Sequence, residues 1–183
     1  MKIVAEKNPE LAEAQKKEIA RVVGLGAVKY ADLLPNRQSD YIFNWDKMLA
    51  LTGNTAPYLQ YAYARIKSIF RKADVESALR ADISAQTTDT TPVVLIAPEE
   101  IALAKFLLNF ALTLEAVAEE YRPNFLCNYL YELAGHFTRF YENCPVLKSE
   151  EATRASRLVL CDLTAKVLKQ GLNVLGIETL EQM

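Results

Sequence analysis

Histidine occurs once, at His136, and cysteine three times, at Cys127, Cys144 and Cys161, in a chain of 183 residues. Ser-His-Asp and Cys-His catalytic sets would therefore both depend on a single imidazole. That imidazole follows Ala134 and Gly135 inside an apolar helical pattern, where a structural role is expected. The cysteines are odd in number and not closely paired, which excludes a disulfide framework and a Cys-rich zinc site. Cys127 and Cys161 stand among apolar neighbours as small core residues. The six glycines supply no phosphate loop, because Gly24 and Gly26 lack the strand–helix context and the Lys-Ser/Thr ending. The acidic pairs Glu99 with Glu100, Glu119 with Glu120 and Glu150 with Glu151 are adjacent, so each splays around a helix instead of forming a site. No uninterrupted apolar run approaches the roughly 20 residues that span a bilayer. Lys7, Glu10, Glu13 and Lys16 break any signal-peptide pattern. A cytoplasmic chain is expected, with no membrane partner, no catalytic residue and no metal site. Positive charge is not in excess either. A net charge of −2 argues against indiscriminate binding of DNA or RNA.

What the chain does have is helical periodicity. Asn8 and Pro9 open a pattern in which Leu11, Ile19, Val22 and Val23 share a face; Gly24 and Gly26 punctuate it before a second short helix from Ala27 to Leu33. Trp45 to Leu51 reads as about two helical turns. Thr55 caps a helix running to Lys72, with Pro57 suited to its first turn. A polar, Thr-rich surface loop is expected over residues 80–96. Pro98, Glu99 and Glu100 start a helix over 98–121, Pro123 another over 123–142, and a last one covers 150–175, ended by Gly176. No strand pair is evident, so the fold class expected is all-α, a helical bundle. Its predicted core contains Leu59, Ile66, Phe70, Leu108, Leu112, Leu130, Leu133, Phe137 and Leu163.

The helix from Thr55 carries two surfaces. At about 100° per residue, Leu59, Ala62, Ile66, Ile69 and Phe70 share roughly one third of the circumference. Tyr58, Tyr61, Arg65 and Lys72 form a neighbouring stripe about 60° wide. Phenol rings interleaved with cations are what unstacked bases pack on. The same stripe also suits the margin of an ordinary core.

The wording of this segment, Gly53-Asn54-Thr55-Ala56-Pro57-Tyr58-Leu59-Gln60-Tyr61-Ala62-Tyr63-Ala64-Arg65, resembles the start of the anticodon-binding domain of the arginyl-tRNA synthetase family. So do Gly26-Ala27-Val28-Lys29-Tyr30-Ala31-Asp32-Leu33, Asn36-Arg37, Asp40-Tyr41-Ile42-Phe43 and Trp45-Asp46-Lys47-Met48-Leu49. Further on, Tyr129-Leu130-Tyr131-Glu132-Leu133-Ala134-Gly135, Phe140-Tyr141-Glu142 and Gly171-Leu172 through Leu175-Gly176-Ile177 to Met183 continue the resemblance in order. It weakens only around residues 74–98. The resemblance implies a bundle of the class I synthetase anticodon-binding type, with residues 1–52 linking a catalytic domain to a helical anticodon-binding domain over 53–183. The family's His-Ile-Gly-His and Lys-Met-Ser-Lys-Ser-like signatures do not occur here. The chain is therefore read as a C-terminal piece of arginine–tRNA ligase, non-catalytic by itself and without a cofactor of its own. The absent catalytic domain would use ATP with Mg to join arginine to tRNA.

The implied partners are the tRNA for arginine, through its anticodon loop and stem, and that catalytic domain, which Tyr41 and Trp45 would face. The resemblance places Tyr58, Tyr61 and Arg65 at the anticodon loop with Met183 packed close by. Lys72 is expected to contact phosphate, and Gln60 and Lys148 join the candidates by proximity. Glu178 and Glu181 depart from a basic pattern at the tail. The rival reading is a helical protein-interaction module without an RNA role, which explains the bundle but not the ordered motifs.

Overall fold

The computed structural model describes residues 11–72 and 93–183, and every regular element among them is helical. In chain order these are α1 (Glu13–Leu33), α2 (Trp45–Met48), α3 (Ala56–Lys72), α4 (Pro98–Leu107), α5 (Phe110–Glu120), α6 (Pro123–Asn143) and α7 (Glu151–Val174). Most of the expected polar loop lies outside the described residues. α1 runs unbroken through Gly24 and Gly26, where two short helices were expected. Gly26 is buried in that helix, and its missing side chain leaves room for neighbours.

Local chemistry accounts for the starts. Gly53 turns the chain at φ +77°, a conformation that costs glycine little. Thr55 Oγ1 then accepts from Tyr58 N–H at 3.2 Å, which caps α3. At α4, Pro98 occupies the first turn, while Glu100 Oε2 accepts from the N–H groups of Ile96 (2.7 Å) and Ala97 (2.9 Å). The other oxygen of Glu100 accepts from Arg157 Nε at 2.6 Å, tying the start of α4 to α7. Burial works to raise the Glu100 carboxyl, but the guanidinium and the two backbone donors outweigh it and hold it below the usual carboxylate range.

Packing centres on α6, which touches α4, α5 and α7 and meets α1 and α3 at its flank; α3 also packs on α1 and α7. Leu59, Ile66, Phe70, Leu130, Leu133 and Phe137 are buried, as the periodicity predicts. Three expected core residues are not. Leu108 is 78% exposed, Leu112 63% and Leu163 43%. For the first two the reason is a break in the expected 98–121 helix at Leu108 and Asn109. The Tyr129 hydroxyl donates to the carbonyl of Phe106 at 3.2 Å and lies 3.5 Å from that of Leu107, taking oxygens that a continuous helix would use. The redirected α5 packs through Phe110, Leu114 and Val117 instead. Leu163 lies off the α7 face that buries Leu160, Cys161, Thr164 and Leu168.

Pro98–Glu120, taken as one stretch of 23 residues, is apolar and long enough by composition to cross a membrane, against the expectation of no such run. In the fold it is two helices lying on α6, with Leu103 fully buried and the Phe106 ring stacked on Tyr129 (5.0 Å) and on His136 (4.5 Å).

Candidate nucleic-acid groove

After α7, Gly176 turns the chain at φ +70° and residues 177–183 fold back without regular structure. Ile177 plugs into the core, and polar contacts fasten the rest. Lys29 Nζ donates to the Gly176 carbonyl, and Gln60 Nε2 donates to the Glu178 carbonyl at 2.8 Å. Arg21 forks onto the Glu178 carboxylate at 2.9 and 2.6 Å while also gripping Glu18 at 2.9 and 2.7 Å. Arg71 Nη1 donates to the Glu181 carbonyl at 2.8 Å, and Lys67 Nζ stands 3.8 Å from the Glu181 carboxylate. Hydrogen bonding to Arg21 holds Glu18 and Glu178 below the usual carboxylate range.

The tail so fixed is one wall of a groove of about 510 Å³, within the roughly 300–1,000 Å³ of small-ligand sites. The first turns of α1 supply Gln15, Glu18 and Ile19 behind Leu11; α3 supplies Tyr61, Ala64, Arg65, Ser68 and Arg71; the tail supplies Leu180, Gln182 and Met183. The α3 residues recur at intervals of three and four, which puts them on one helix face. Tyr61 is 45% exposed there. The Arg65 guanidinium lies 4.7 Å from the centre of the Tyr141 ring on α6, which fixes its plane while leaving it in the groove lining.

Three of the residues expected to act together are thus in one place: Tyr61, Arg65 and Met183. The others are not. Tyr58 sits partly buried on the α3–α6 seam, edge-on to Tyr131 at 5.7 Å. Lys72 is exposed at the last residue of α3, and Lys148 is exposed on the loop between α6 and α7, both outside the groove lining. Gln60 requires a correction. Its side chain is 0% exposed and donates to the carbonyls of Val22 (3.3 Å) and Glu178 (2.8 Å), so it faces the interior and offers nothing to a ligand. Its place follows from helix geometry, since one step before Tyr61 is about 100° around the axis. Reasoning from the sequence missed Ser68 and Arg71, although both continue the Tyr61 and Arg65 face at helical spacing. It also missed the α1 wall, for which no local signal exists.

The groove therefore pairs an exposed phenol ring and a braced guanidinium with apolar walls. Those groups can stack on a flat heterocycle and donate to its edge. Among the described residues no group of three or more His, Cys, Asp or Glu could hold a metal ion. Burial first, and Arg139 second, push His136 below its ordinary pKa.

A second, smaller cavity of about 300 Å³ lies between α1, α2 and the start of α3, beside Tyr41 and Ile42. Tyr41, Ile42, Phe43 and Trp45 are all exposed, with Phe43 and Trp45 packed edge to face at 4.8 Å.

Comparison with known proteins identifies the family. Residues 59–183 match the DALR anticodon binding domain, and residues 1–45 match the catalytic domain of class I (R) tRNA synthetases. The chain is 56% identical over 181 residues to an arginine–tRNA ligase of Chromobacterium violaceum, covering 99% of this chain and 30% of that protein. It is 53% identical over 183 residues to one of Klebsiella pneumoniae, covering 100% and 30%. Among solved structures, Thermus thermophilus arginyl-tRNA synthetase superposes with a TM-score of 0.84 at 34% identity, over 99% of this chain and 30% of that one. The chain thus spans about 30% of the length of the curated relatives it matches.

Proposed function

Because this chain belongs to the DALR anticodon-binding domain family, in the form found in arginine–tRNA ligases, we propose that it recognises the anticodon loop and stem of the tRNA for arginine. The observation that carries the reading is the convergence of Tyr61, Arg65 and Met183, from two separate parts of the chain, on one groove. Loop bases are single-stranded and can splay out, so Tyr61 stacks on one and Arg65 donates to a base edge. Tyr58 lies outside the groove lining on the α3–α6 seam, and Lys72 and Lys148, exposed and also outside it, would meet phosphates of the stem.

Residues 1–52 form the link to the catalytic domain and residues 53–183 the anticodon-binding unit. In the whole protein that catalytic domain would attach arginine to the tRNA using ATP with Mg, in the cytoplasm. The exposed aromatics Tyr41, Phe43 and Trp45 are its docking patch. In this reading the ATP chemistry belongs to that catalytic domain. The part of the described residues is to bind and orient RNA. The family match favours this reading over a protein-only module.

Titrating the chain with the tRNA for arginine and with a tRNA of different anticodon tests it. Preference for the former is expected. Equal binding, or none, would refute it.

A further inference from the structure

Glutamine is mostly exposed in folded proteins, and burying its amide is unfavourable unless the amide is hydrogen-bonded. Gln60 is nevertheless fully buried, at the point where α1, α3 and the tail meet. Both hydrogens of its Nε2 are spent on backbone carbonyls of other elements, Val22 in α1 at 3.3 Å and Glu178 in the tail at 2.8 Å. Its Oε1 is buried with no partner among the described atoms. The amide is thus held for its donors. Turning it over would aim an oxygen at two carbonyl oxygens. Gly26 makes the position possible, since a methyl there would fall 2.8 Å from Gln60 Nε2 and 3.1 Å from Ile177 Cγ2.

Of the other polar fasteners of the tail, three are exposed, namely Arg21 on Glu178, Arg71 on the Glu181 carbonyl and Lys29 on the Gly176 carbonyl, while Lys67 beside Glu181 is half-buried and the Tyr63 hydroxyl, bonded to Thr179, is buried. Exposed charge pairs are weakened by salt, and phosphates can compete for the same cations. The Gln60 bond is beyond the reach of both.

We propose that Gln60 is the positioning residue of the groove, an interior donor that docks residues 176–183 and thereby sets where Leu180, Gln182 and Met183 stand. The proposal rests on the reading of that groove as an RNA site, and it assigns Gln60 no contact with RNA. Tail docking is the binding-competent state, so RNA affinity falls by the fraction of chains in which the tail is undocked.

Gln60→Glu in the 183-residue chain supplies the test. An ionised carboxylate would face the two carbonyl oxygens and release the tail. A protonated one regains an O–H that can donate to Glu178, and burial raises the pH at which this happens. The charged groups around the Glu178 anchor are its own carboxylate, Arg21, Glu18 and Lys29. The two carboxylates among them are held below the usual range by hydrogen bonds to Arg21 and stay ionised in the window used. Protection of the Ile177 amide, whose N–H donates to the Leu172 carbonyl at 2.9 Å, reports on the tail; it and affinity for an RNA hairpin copying the anticodon arm are measured at about pH 8 and about pH 5.5. Gln60→Glu is expected to lose tail protection and hairpin affinity, each on the order of tenfold, at the higher pH, and to recover both at the lower. Wild type should show no such recovery, and protection in α6 should hold throughout. Gly26→Ala, which crowds the amide without charging it, should loosen the tail at both pH values and remains informative if Gln60→Glu fails to fold.

A tail that stays protected in both variants overturns the proposal. So does a loosened tail with unchanged hairpin affinity. Failure of the wild-type chain to bind the hairpin would instead refute the RNA reading, leaving the protection factors to decide whether Gln60 docks the tail.

Discussion

Tyr58 and Tyr61 stand three residues apart on α3, look equivalent in sequence, and should behave oppositely on truncation to alanine. Tyr61 is 45% exposed in the groove, whereas Tyr58 packs against the core with its ring 5.7 Å from Tyr131. Base–aromatic stacking contributes about 1–3 kcal/mol per base, so Tyr61→Ala should weaken tRNA binding by roughly 5- to 150-fold. Little stability is lost with a half-exposed ring, and the melting temperature should move by no more than about 2 °C. Tyr58→Ala removes a partly buried aromatic pair and its apolar contact, about 1–3 kcal/mol in all. At about 2–4 °C per kcal/mol for a chain of this size, that is a fall of roughly 2–12 °C. The folded fraction should retain affinity within about threefold of wild type, because a threefold change is under 1 kcal/mol and no stacked base is lost. Thermal melts and fluorescence-anisotropy titrations on the same two preparations provide the comparison. Equal affinity losses in the two variants would refute the separation drawn from their burial. A destabilised Tyr61→Ala with intact binding would return both tyrosines to the core margin.

Leu133 is fully buried on α6, and Leu133→Ala should cost about 2–5 kcal/mol in a denaturant melt. Lys72→Ala should weaken cognate and noncognate tRNA alike and flatten the dependence of affinity on salt, as expected of a phosphate contact; a change in anticodon preference would contradict that assignment. Glu100 has its carboxyl held low by Arg157 and two backbone donors despite burial, so its contribution is present above the unfolded-state value of about 4.3 and is lost as pH falls through the lower folded value. Glu100→Gln should therefore be less stable than wild type at pH 7, by about 1–3 kcal/mol, with the gap closing below about pH 4 in parallel urea melts.

Starts of helices are legible here because their causes are local. Thr55 with Pro57, Pro98 with Glu100, and Pro123 each act within one turn, and each begins a helix in the fold. The break after Leu107 is not legible, since it depends on a hydroxyl more than 20 residues away at Tyr129. For the same reason Leu108 and Leu112, regular in periodicity, end up outside. Gly24 and Gly26 show the converse, where local punctuation yields to tertiary packing and α1 continues. At the groove, helical spacing finds Tyr61 and Arg65. The nearness of Met183 is implied only by family resemblance. The α1 wall and the inward turn of Gln60 arise from contacts that no window of sequence contains.

The pairing of Arg21 with Glu178 joins residues 157 positions apart, and this sets an order of events during synthesis. At about 5–20 residues per second, the tail reaches its dock roughly 8–30 s after α1 is made. Through that interval the α1 and α3 walls wait with Arg21, Lys29 and Arg71 lacking their tail partners. A nascent chain interrupted before Ile177 has every helix of the bundle but not the third wall of the groove. The groove is thus completed only by the last residues to be made.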